Sequence, residues 1–103
     1  MDEFVVILCT AVADQSEDIA GVLIEERLAA CVNIIGVKSY FRWKGESCIE
    51  KEDLLVIKTR KGRIKEIISR ITELHSYEVP EIIALPIIEG YDAYLGWVEE
   101  ETR

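Results

Sequence analysis

CVNIIGVKSYFRWKGESCIEKEDLLVIKT, residues 31–59, decides the fold of this chain. Cys31–Trp43 and Cys48–Thr59 are strand-like runs, and Lys44-Gly45-Glu46 between them is a turn with glycine at its tip. Each run exceeds the five or six residues of an ordinary strand. A hairpin of this length on a small domain projects past its own core. Its distal part carries Tyr40, Phe41 and Trp43, aromatic surface that needs a cover.

The flanking segments supply the rest of the architecture. Upstream, Glu3–Thr10 is continuously apolar from Phe4 to Cys9, as in a strand covered on both faces. Asp14 and Glu17 have capping-box spacing, Ser16 is a second candidate cap, and Ile19, Val22 and Leu23 form one stripe. A helix is therefore expected from about Ser16 to Leu28. Downstream, Ile64, Ile67, Ile68, Ile71 and Leu74 make the clearest helical period in the chain. Val79-Pro80 ends it, because the residue before proline avoids the α region. Glu81–Glu89 reads as a strand in which Pro86 marks an edge, a bulge or the end of pairing. Asp92 can cap a final helix with Tyr91, Tyr94, Leu95 and Val98 on one face.

The order is β-α-β-β-α-β with a C-terminal helix, so the expected fold class is α+β. It is a ferredoxin-like βαββαβ sandwich with an extended β2-β3 hairpin, one domain over residues 1–103. One sheet face would be bare in a single chain, which predicts assembly with further copies.

Composition narrows the function. Half of the 103 residues are apolar and 31% are charged, the balance of an ordered globular domain. Acids outnumber bases 20 to 12, so a net charge of −8 disfavours nucleic acid as a partner. No apolar run is long enough to span a bilayer, so no membrane partner is expected. Met1-Asp2-Glu3 is acidic and leads directly into the first strand, which argues against a secretory leader. Three cysteines without metal-finger spacing suggest free thiols and a cytoplasmic location.

Taken together, six segments resemble the CutA divalent-cation tolerance family along essentially the whole chain. They are Leu8-Cys9-Thr10, Leu28 through Asn33, Ser39 through Gly45, Glu52 through Thr59, His75 through Glu81, and Tyr94-Leu95-Gly96-Trp97. The resemblance implies a tight homotrimer, self being the partner, with hairpins reaching into neighbouring subunits. It also implies a cytoplasmic role in tolerance of copper and other divalent metal ions. In copper-binding members of the family the metal is assigned to a cysteine matched by Cys9 and two adjacent histidines. His75 matches the second histidine; Leu74 occupies the first position, and Ser76 stands where proline is usual.

His75 is the only imidazole, a side chain preferred by transition metals. His75, with Glu78 nearby in sequence, is a candidate metal ligand on its own chemistry; the resemblance adds Cys9 and implies Cu(2+) as the expected ion, with no cofactor obligatory. The alternative for His75 is a helix-end histidine held by the dipole and a carboxylate. Strand alternation places Cys9 with Val5 and Ile7, which suggests a buried thiol. Glu46, Glu50, Glu52 and Asp53 read as a solvated strand face. No phosphate-binding glycine motif occurs, and no enzyme activity is expected. Tyr40, Trp43, Lys58 and Tyr77 are candidate ligand-binding residues for a small anion in a cleft between subunits. They support a second reading, a trimeric ligand sensor resembling the PII proteins in architecture. A third reading is a structural trimer acting through protein partners.

Overall fold

A computed structural model describes residues 3–103; Met1 and Asp2, and with them part of the acidic-start reading, lie outside the described residues. The chain runs β1 (Phe4–Ala11), α1 (Ala13–Glu25), β2 (Cys31–Trp43), β3 (Glu46–Arg60), α2 (Ile64–Leu74), β4 (Ile82–Pro86) and α3 (Asp92–Glu101). A short 3₁₀ turn at Lys61–Arg63 joins β3 to α2. The four strands form one antiparallel sheet in the order β2-β3-β1-β4. This is the element order expected from the sequence.

Cross-strand register explains the hairpin. Trp43 pairs with Glu46, leaving Lys44-Gly45 as a two-residue loop with φ of 50° and 80°. Two successive positive φ values match the right-handed twist of the strands, and glycine at the second position accepts one of them without strain. The β2–β3 ladder continues unbroken to Cys31 and Lys58. In contrast, β1 pairs only with Asp53–Arg60 of β3, so residues 37–43 and 46–52 extend as a two-stranded ribbon.

Residues alternate across the sheet because successive side chains point to opposite faces. Ile7, Cys9, Ala11, Leu55 and Ile57 face α1 and α2, where they meet Ile19, Leu23, Ile67 and Ile71. All nine are fully buried, and their removal from water is the main stabilising term of this layer. The Thr59 hydroxyl in the same region donates to the Leu28 carbonyl at 2.6 Å, so its burial leaves no orphan group. Among the described residues the opposite face is covered at one end, where Leu95 and Val98 of α3 pack on Phe4. Arg63 Nε donates to the Thr102 carbonyl at 2.9 Å, and Arg60 bonds the same carbonyl. These cations complement the negative C-terminal end of α3 and fix its position. Beyond α3 the face is open: Ile35 and Ile83 are each 51% exposed and Leu85 44%.

Element boundaries depart from the sequence reading in several places, among them the start of β3 at Glu46, two residues early. Helix α1 starts at Ala13, three residues early, because Val12 supplies the cap through its carbonyl to the Gln15 and Ser16 amides. Asp14 lies inside the first turn and is not the cap. The helix stops at Glu25 because Arg27 takes a left-handed φ of 59°, turning the chain toward β2. Strand β4 ends at Pro86, with one further bond from the Ile87 amide to the Phe4 carbonyl at 2.9 Å. Tyr91, not Asp92, caps α3.

Candidate functional site

The end of β1 gathers the polar side chains that carry chemistry. Helix α2 closes with the His75 amide bonded to the Ile71 carbonyl at 2.8 Å, after which His75 itself is extended. Gln15 of α1 holds the departing chain, donating to the Leu74 carbonyl at 3.5 Å and accepting from the Ser76 amide at 3.0 Å. These contacts turn the His75 ring toward β1. Its Nε2 lies 2.7 Å from the Thr10 carbonyl oxygen, and its Nδ1 accepts the Tyr77 amide at 3.1 Å. The acceptor role of Nδ1 places the proton on Nε2, which donates to Thr10.

Cys9 reaches the same carbonyl: its Sγ is 3.7 Å from the Thr10 oxygen. The structure therefore brings Cys9 and His75, remote in sequence, to one backbone group. Cys9 is fully buried, and loss of hydration pushes its thiol up to about 12, with the Glu81 and Glu52 carboxylates adding to the shift. The thiol is protonated at neutral pH and is held on the core face expected from strand alternation.

Tyr77 links this pair to the hairpin. Its ring lies 4.6 Å from the His75 ring, and its hydroxyl donates to Glu52 Oε2 at 2.7 Å. Desolvation first, then the bond to Glu52, raises the phenol to about 12. Glu52 is 7% exposed, which corrects the solvated-face reading for this residue. Asp53 is half-buried, with its Oδ2 2.5 Å from the Ser16 hydroxyl, tying α1 to β3. Sequence reasoning missed Thr10, Gln15 and Glu52. Their roles come from backbone placement and from a chain crossing, and neither leaves a local residue pattern.

The remaining candidates are dispersed. Glu78 is exposed and pairs with Lys44 at 3.6 Å. Lys58 sits on the open sheet face, bonded to Asn33 and 3.9 Å from Cys31 Sγ. Tyr40 lies nine ladder positions from Cys31, the partner of Lys58, which is about 30 Å along a strand. Trp43 lies near the hairpin tip, beneath the Lys44 ammonium at 5.8 Å. One chain does not bring Tyr40, Trp43, Lys58 and Tyr77 into a common cleft. An open groove of about 900 Å³ instead lies beside Phe4, Ile64, Pro86 and Gly90.

The donor set limits what one chain holds. Both ring nitrogens of His75 are engaged, the Cys9 thiol is protonated, and Glu78 is turned toward Lys44. Among the described residues no three His, Cys, Asp or Glu side chains converge in a way that could hold a metal ion. The expected helix-end role of His75 also changes: its partners are backbone groups, not a carboxylate.

The sheet order, the projecting ribbon and the cluster at the end of β1 define a class of small α+β proteins with a four-stranded antiparallel sheet and three helices. Residues 4–101 match the family described as CutA1 divalent ion tolerance protein, and the chain belongs to that family. It is 46% identical over 101 residues to the divalent-cation tolerance protein CutA of Thermus thermophilus, covering 97% of this chain and 98% of that one. It is 41% identical to the chloroplastic protein CutA of Arabidopsis thaliana and spans half of that relative's length. The crystal structure of CutA1 from Oryza sativa superposes with a TM-score of 0.95 at 38% identity, covering 99% of this chain and 95% of the other. The PII-like protein CutA from Nostoc, in apo form, superposes with a TM-score of 0.92 at 36% identity, covering 96% and 97%. Among the described residues no helix is long and apolar enough to cross a membrane.

Proposed function

We propose that the chain is a non-catalytic homotrimer serving divalent-cation tolerance, and that it takes up copper at the Cys9–His75 pair. The observation that carries this reading is the convergence of both side chains on the Thr10 carbonyl. Imidazole and thiolate together suit copper better than harder cations. Loading requires Nδ1 to release the Tyr77 amide or Nε2 to release Thr10, and it displaces the Cys9 proton. Affinity is therefore modest and rises with pH. Glu78 is a helper once it leaves Lys44, and further ligands come from adjoining subunits.

The half-exposed Ile35, Ile83 and Leu85 on the open sheet face, with Phe41 and Trp43 on the ribbon, support self-association. Three free cysteines suit the reducing cytoplasm. Copper(II) calorimetry tests the reading on the wild type, His75→Ala and Cys9→Ser, with particle mass measured for each. Saturable uptake lost in both variants at unchanged trimer mass supports it. Uptake indifferent to both substitutions rejects it.

The likeness to a protein described as PII-like favours a second reading, a ligand sensor. Its cleft would combine Tyr40 and Trp43 of one subunit with Lys58 and Tyr77 of another. A thermal shift of the assembled protein with nucleotides or small organic anions tests it, and no shift with any of them rejects it.

A further inference from the structure

The two faces of the projecting ribbon carry opposite charge. Directly paired residues share a face, so the register sets Lys38, Tyr40 and Arg42 of β2 beside Lys51, Ile49 and Ser47 of β3. This face continues the side that carries α1 and α2. Glu46, Glu50 and Glu52 lie on the other. Lys38 stands directly opposite Lys51, a like-charge pair that is unfavourable until an anion bridges it. Lys38, Arg42 and Lys51 are all exposed, and among the described residues none of them makes an ion pair or hydrogen bond. Between the cations, Tyr40 is 71% exposed and Ile49 60%. The two lysines also line a shallow concavity of about 430 Å³ with Gly36 and Ala13 at the foot of the ribbon. The carboxylate on this face, Asp53, is bonded to the Ser16 hydroxyl.

We propose that this face docks an extended acidic peptide segment of a partner protein, with carboxylates at positions i and i+4 and an apolar or aromatic side chain at i+2. The spacing selects this ligand. Lys38 and Arg42 are four residues apart, about 13 Å along a strand, with Tyr40 midway. An extended peptide repeats the same interval and presents residues i, i+2 and i+4 to one side. Its carboxylates meet Lys38 with Lys51 at one end and the Arg42 fork at the other. Its central side chain lies on Tyr40 and Ile49. A polynucleotide is disfavoured by the rest of the chain. The ribbon over residues 36–53 has four bases and four acids, so the whole net charge of −8 lies outside it. A further copy of this chain is disfavoured on this face because the exposed apolar sheet surface lies on the opposite one, so the proposal excludes the second reading, in which Tyr40 lines a cleft between subunits. The proposal is independent of copper binding.

Fluorescence anisotropy of a labelled Gly-Glu-Gly-Phe-Gly-Glu-Gly peptide, titrated at low salt with the whole protein, tests it. Saturable binding is expected, weakening as salt rises. It should fall at least about ten-fold on Lys38→Gln/Lys51→Gln and about as much when the peptide glutamates become glutamines. Lys38→Arg/Lys51→Arg should stay within a few-fold of wild type. Equal binding of the glutamine peptide, or none that saturates, overturns the proposal. So does displacement of the peptide by a single-stranded oligonucleotide of equal charge at lower concentration. A smaller particle mass for the glutamine double variant also overturns it, because the lysines would then hold copies together.

Discussion

Replacing His75 by alanine should destabilise the metal-free protein, and the size of the effect follows from what the ring touches. The substitution removes the donor to the Thr10 carbonyl at 2.7 Å and the acceptor of the Tyr77 amide at 3.1 Å. Each such bond contributes about 0.5–1.5 kcal/mol net. The Tyr77 ring, 4.6 Å away, loses an aromatic neighbour worth roughly 0.5–1.5 kcal/mol. His75 is 8% exposed, so water reaches the freed groups poorly and the loss adds up to about 2–4 kcal/mol. Urea unfolding in chelator at one fixed subunit concentration reads this as a midpoint lowered by about 1–2 M. His75→Gln should recover part of the loss by returning an N–H to Thr10. An alanine variant with an unchanged midpoint would refute the reasoning, since the ring would then be idle in the apo fold. The outcome also governs the copper experiment, because only a folded variant of full mass reports on a ligand.

Three further outcomes are expected. A thiol reagent should modify the half-buried Cys31 and Cys48 quickly in native protein and reach Cys9 only on unfolding, which timed labelling with peptide mass analysis checks. Ile71→Ala, at a fully buried position, should cost about 2–5 kcal/mol and lower Tm by at least about 8 °C in a calorimetric scan. Stability should fall as pH rises above 9. Cys9 is raised from 9.0 to about 12 and Tyr77 from 10.0 to about 12, so the unfolded chain releases these protons first. Each contribution is complete below the unfolded value and is lost toward the folded one, at up to about 1.4 kcal/mol per pH unit per group. Unfolding midpoints from pH 8 to 11 check the slope, which Tyr77→Phe should flatten.

Much of the architecture was legible locally. The isoleucine period of residues 64–74 coincides with α2, and the strand-like run 31–43 coincides with β2. Burial of Cys9 with Val5 and Ile7 followed from alternation alone. The candidate site was legible only in part. Sequence singled out His75 and Cys9, yet nothing in it placed both on the Thr10 carbonyl. Glu52 looked like its neighbours Glu46 and Glu50, and its burial depends on Tyr77 arriving from a different element. The helix start at Ala13 was missed because a backbone carbonyl, with no side-chain signature, forms the cap.

The sequence by itself determined which segments are strands and helices, the long hairpin, the acidic balance and the family resemblance. These properties repeat within a few residues, so periodicity and turn chemistry reveal them. Only the tertiary structure decided which face of the ribbon is basic, which carboxylate is buried, and what His75 binds. Each of these depends on cross-strand register or on a chain crossing between segments distant in sequence. Such contacts are selected by the packing of the whole core, and no local pattern encodes them.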